Sequence, residues 1–181
     1  MLRMSRWAMA ILGIAALQTP ALAADASTMS CVDALPEATK SAIGDAAVAG
    51  ITSAYIEPTD DLLALADLVA SCGDKHSWSD EARKIAFDRA RLLAEATAYE
   101  KALLSDGVPA NEGTDIWYAL PAPVRNSFET GTPSKEAVDA LSASLTERGY
   151  GKTSIKRVRM MLRYVAAFGK LRGLRQKFAG A

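Results

Sequence analysis

Three groups of residues in this 181-residue chain have the types and spacing that chemistry requires. The first is Lys75-His76-Ser77-Trp78-Ser79-Asp80, which gathers the only histidine, two serines and an aspartate within six residues. Ser, His and Asp are the parts of an acyl-transfer triad. Such triads are assembled from distant segments, because the imidazole must reach a nucleophile on one side and a buried acid on the other. Ser79 and Asp80 fit a local role better, as the cap and first-turn acid of a helix. Lys75 and His76 fall where a preceding helix ends, a place that favours cations. The group therefore reads as structural.

The second group is acidic. Glycoside hydrolysis on the cell wall needs two carboxylates about 5–9 Å apart across a cleft, one of them with a raised pKa. Asp60 and Asp61 are adjacent at a helix start, and Asp88 and Glu95 lie seven apart on one helix face. Neither pair carries a sign of burial. An envelope hydrolase using a carboxylate pair that the sequence does not identify is thus the alternative reading. One histidine and two cysteines leave too few ligands for a Cys/His zinc site, and no calcium-loop pattern is present. Gly149-Tyr150-Gly151-Lys152-Thr153 lacks the first glycine of a phosphate loop. No metal or cofactor is expected.

The third group is Cys31 and Cys72, read as a disulfide because the chain opens like an exported protein. Arg3 and Arg6 precede an 11-residue apolar run, Trp7 to Leu17, and Ala21-Leu22-Ala23 follows a break at Gln18-Thr19-Pro20. That order is a secretory signal peptide over 1–23, with 24–181 as the mature chain in the periplasm or beyond. A membrane anchor is the weaker reading, since such a run covers about half of a bilayer core. In an oxidising compartment, two cysteines pair. A catalytic thiol would want a local base: none accompanies Cys31, and His76, four residues after Cys72, lies beyond the helix stop expected at Gly73.

Positioning these residues requires elements, and all of them read as helices. The residues 24–33 form a polar lead-in. A first helix starts at Leu35-Pro36 and ends before Pro58; Gly44 and Gly50 divide it in two if they break it. A second is capped by Thr59, carries a Leu62/Leu65/Ala66/Val69 stripe and stops at Gly73. A third runs from the Ser79 cap to Gly107. Residues 107–115 read as a loop, with a short segment 116–120 before Pro121 and Pro123. Further helices follow from Thr132-Pro133-Ser134 to Gly149, and from Thr153 or Ser154 toward Phe178, where Gly169 and Gly173 bend or fray the end. The expected fold is an all-α, single-domain bundle of five to six helices.

Two three-helix units are discernible. Ala34-Leu35-Pro36, Lys40 and Ile43 recur as Ala119-Leu120-Pro121, Arg125 and Phe128 at identical spacing. Each set precedes a Pro-Thr or Pro-Ser helix start, a glycine and a long helix. Reuse of common helix starts and stops would give the same pattern without a shared origin.

Charge carries the functional reading. The whole chain is neutral, yet residues 24–147 hold 9 basic and 21 acidic side chains, while 148–181 hold 10 basic and none acidic. On a helical wheel Lys156, Arg159, Arg163, Lys170 and Lys177 share one face, opposite Ile155, Val158, Met161, Leu162, Val165 and Phe168. Such a helix either docks on the acidic body or presents its charge to anionic lipid, to an acidic envelope protein or to a cell-wall polyanion. Nucleic acid would suit the charge but not the compartment. Trp117 is the remaining candidate, as a core plug or as an anchor for a partner. The composition is globular and excludes collagen-like, disordered and multi-pass membrane chains. The reading is an exported, non-enzymatic envelope binding or accessory protein. Its contact surface would be Lys156, Arg159, Arg163 and Lys170, with Trp117.

Overall fold

The structure is a computed structural model that describes residues 24–52 and 59–181. The expected signal peptide and the helix stop at Pro58 lie outside the described residues. Among those residues the chain is all-helical, with seven α-helices, three short 3-10 segments and no strand. The helices are α1 (Glu37–Ala49), α2 (Asp60–His76), α3 (Asp80–Ser105), α4 (Glu112–Ala119), α5 (Ala122–Glu129), α6 (Lys135–Glu147) and α7 (Ile155–Ala179). The polar lead-in is itself ordered as a 3-10 segment, Thr28–Ala34, because it buries Met29 and Val32.

Helix starts follow their caps. The hydroxyls of Thr59, Ser79, Ser134 and Ser154 each accept from the backbone N–H three residues on, opening α2, α3, α6 and α7. Each such cap contributes about 1 kcal/mol. Pro36 and Pro121 stand at the N-cap rather than inside the helix, in extended conformation.

Among the described residues seven α-helices stand where five to six were expected, and the difference lies between residues 112 and 129. Pro121-Ala122-Pro123 reads as a break in sequence, but proline is favoured in a first helical turn, where its missing N–H costs nothing. It therefore divides two short helices, α4 and α5, instead of ending one.

The glycines correct three further expectations. Gly73 does not stop α2, which continues to His76 and turns at Ser77, a residue with φ of 54°. A β-carbon on Gly73 would lie 2.6 Å from Nε of Arg83, so this glycine admits the arginine. The Arg83 guanidinium then donates to the carbonyl of Ala70 and to Asp74, and closes the end of α2. Gly169 and Gly173 do not fray α7 either. A β-carbon on Gly173 would meet the Glu129 carbonyl oxygen at 2.0 Å, which makes it the point where α5 crosses α7.

The long helices α3 and α7 pack along each other as the spine, with more mutual contact than any other pair. One apolar cluster surrounds the first half of α7 and includes Trp117, Phe128, Leu141 and Val165. A second joins the 3-10 segment, α1, α2 and α3. Phe178, near the end of α7, is fully buried in this second cluster, edge-on to Trp78 at 5.1 Å. The end of α7 thus closes the N-terminal half, and Ser79 donates from its hydroxyl to the Ala181 carbonyl at 3.2 Å. Burying a side chain of this size contributes about 1.5–3 kcal/mol.

The Cys31–Cys72 bond is present, with the α-carbons 6.0 Å apart. It joins the 3-10 segment, rather than the start of α1, to the last turns of α2.

Candidate functional site

The His76 group is structural in its geometry. The imidazole stacks on Trp78 at 5.9 Å. Ser79 is occupied as the cap of α3, and Asp80 is exposed in that helix's first turn. Trp78 itself is anchored by its indole N–H, which donates to the Thr28 hydroxyl at 2.8 Å. No hydroxyl, imidazole and carboxylate line up here.

The acidic pairs are equally local. Asp88 and Glu95 do not face a cleft together; both reach the Arg91 guanidinium between them on α3. Among the described residues no charged side chain is buried, and no group of three or more His, Cys, Asp or Glu is placed to hold a metal ion.

Trp117 is in the core, with none of its surface exposed, so it cannot anchor a partner. It packs edge-on against Phe128 at 6.2 Å and Phe168 at 5.9 Å, and Gly169 leaves room for its ring. The exposed aromatic ring is its neighbour Tyr118, which lies under the Arg172 guanidinium at 5.8 Å. Helical periodicity separates the two: in α4 the face that turns Ile116 and Trp117 inward turns Tyr118 out.

The basic segment divides into two parts. One pairs with the acidic body: Arg148 with Glu112 at 3.4 Å, Arg157 with Asp106 at 3.7 Å, and Arg172 with Glu129 at 3.2 Å. Lys177 donates to the Thr130 carbonyl. The other part faces outward. Lys156, Arg159 and Arg163 are exposed and Lys170 is half-buried, as the wheel placed them. Lys156, Arg163 and Lys170 make no hydrogen bond or ion pair among the described residues. The apolar side of the wheel is buried at Met161 and Val165, but Ile155 is 65% exposed, since the first turn of α7 projects beyond the core.

What the sequence did not reveal is a groove beside this basic face. It has a volume of about 520 Å³ and runs between α7 and the α5–α6 pair. Leu141, Leu162 and Ala166 form its apolar floor, while Arg159, Arg163 and Lys170 stand along α7 at its rim. Val138, 40% exposed, borders the opposite side. The arrangement suits a ligand that presents negative charge beside an apolar segment.

In comparison with known proteins, no family model, no curated protein and no solved structure matches the chain.

Proposed function

We propose that this is an exported, non-enzymatic envelope binding or accessory protein whose contact surface is the basic face of α7. The observation that carries the reading is the convergence of Arg159, Arg163 and Lys170 on one apolar-floored groove. Opposite charge would steer an acidic partner to this face, and burial of its apolar anchor against Leu162 and the exposed Val138 would hold it. The disulfide is compatible with an oxidising compartment, and no helix among the described residues is long and apolar enough to cross a membrane. The test is capture from solubilised cell envelope by the protein with 1–23 removed and by its Lys156→Glu/Arg163→Glu/Lys170→Glu variant. An acidic component retained by the first and lost from the second, with helical circular dichroism unchanged, supports the reading. Equal retention by both, or by neither, overturns it.

Duplication of a three-helix unit belongs to the same proposal, and several paired details favour it. Pro36 and Pro121 cap α1 and α5 with closely similar backbone angles. Lys40 donates to the Asp33 carbonyl at 3.1 Å, and Arg125 donates to the Tyr118 carbonyl at 3.2 Å. Ile43 and Phe128 are both buried, as are Leu35 and Leu120. Gly44 of α1 meets Ala98 of α3 at the same relative place where Glu129 of α5 meets Gly173 of α7. In this correspondence α1, α2 and α3 match α5, α6 and α7.

A further inference from the structure

We infer that the cleft between the Thr28–Ala34 segment, α1 and α3 is a binding site for a small aromatic zwitterion, of which a free aromatic amino acid is the simplest form. The inference rests on the matching of the two halves and is independent of the α7 groove.

In the C-terminal half the corresponding space is filled from within. Trp117 and Phe168 pack edge to face, and Arg172 lies over the Tyr118 ring and donates to its hydroxyl at 3.2 Å. At the matching positions the N-terminal half has Val32 for Trp117, Leu93 for Phe168, Asp33 for Tyr118 and Thr97 for Arg172. All four are smaller. The helices cannot close over the lost volume, because α1 already touches α3 where Gly44 lies against the Ala94 carbonyl and the Ala98 methyl. A cavity of about 300 Å³ results, lined by those same four residues. That is within the range of small-molecule sites.

The lining defines the chemistry. Val32, Leu35 and Ala94 give an apolar floor, with Leu93, 41% exposed, at the mouth. Three of the charges are already matched: Asp33 by Arg89 at 2.6 Å, and Glu37 with Lys40 at 2.6 Å. Two are not. Asp45 on α1 and Lys101 on α3 line the same cavity and make no ion pair or hydrogen bond among the described residues. A ring restores the volume that aromatic side chains fill in the other half. An ammonium answers Asp45 and a carboxylate answers Lys101, each as a charge-assisted contact.

Isothermal titration of the disulfide-bonded protein tests this. The probes are L-phenylalanine and L-tryptophan, with L-alanine, phenethylamine and 3-phenylpropionate as analogues lacking the ring, the carboxylate or the ammonium. Saturable binding of an aromatic amino acid is expected, weakened about tenfold or more in each analogue and in Lys101→Ala and Asp45→Ala. Leu93→Phe/Thr97→Arg, which fills the cleft with the C-terminal half's own side chains at exposed positions, should fold normally and lose binding. The α7 charge-reversed protein should bind as well as the unmodified one. No saturable binding at millimolar ligand, equal binding of the analogues, binding retained in the filled variant, or loss in the α7 variant would each overturn the inference.

Discussion

The Trp117 indole lies so close to Gly169 that a β-carbon there would come within 2.5 Å of two ring atoms. This contact sets α4 against α7 and holds the apolar cluster behind the basic face. Gly169→Ala should therefore destabilise the fold by about 1–3 kcal/mol through overpacking. Trp117→Ala should cost about 3–5 kcal/mol by leaving a cavity. The two should not add, because removing the ring removes the clash. Urea unfolding of both single variants and the double variant checks this. An additive double variant would mean that the residues do not meet.

Gly169 also illustrates what can be read from sequence alone. The Ser and Thr caps announced four helix starts, because capping is a local hydrogen bond between residues three apart. Glycine has two uses that look the same in a sequence. Gly107 and Gly149 take positive φ at helix ends, as expected, whereas Gly73, Gly169 and Gly173 lie inside helices and admit a neighbour. Only the neighbour distinguishes them. The basic face was legible for a similar reason, being a property of one helix. The groove beside it was not, since Val138 and Leu141 come from α6 and meet Leu162 only through the tertiary fold. Trp117 shows the same limit in reverse: its ring type left a core plug and a partner anchor both open, and its place in α4 put it in the core.

The disulfide closes a loop with a sequence separation of 41 between the N-terminal segment and α2. Loop-closure entropy in the unfolded chain predicts a contribution of about 4 kcal/mol. Cys31→Ala/Cys72→Ala should unfold at correspondingly lower urea, with the helical spectrum retained at zero denaturant. Reducing agent should shift the unmodified protein in the same direction and leave the variant unmoved. An unchanged midpoint on reduction would show that the segment is held by Met29 and Val32 alone.

Alkaline pH offers a separate probe. Burial raises the pKa of Tyr99, Tyr150 and Tyr164 above 10.0, helped by the negative charge of Glu95, Glu112 and Glu100 respectively. A raised folded-state value means that the unfolded chain ionises first. The resulting stability is fully present below pH 10 and is lost as pH rises through the folded-state values. Urea midpoints should therefore fall above about pH 10. Tyr99→Phe, Tyr150→Phe and Tyr164→Phe should each flatten that fall, and tyrosinate absorbance should lag in the native protein. A midpoint independent of pH across this range would contradict the assigned burial.

The central claim is that the α7 groove meets a partner in the cell envelope. The most direct measurement is photo-crosslinking in living cells from a benzophenone side chain placed at Leu162 or Val138 in the groove. A control at Leu104, which is 46% exposed and outside the groove, reports random encounter. The account predicts a discrete adduct from both groove positions, absent from Leu104 and abolished when Lys156, Arg163 and Lys170 are changed to Glu. An adduct pattern equal at all three positions, or no adduct from the groove, would contradict it.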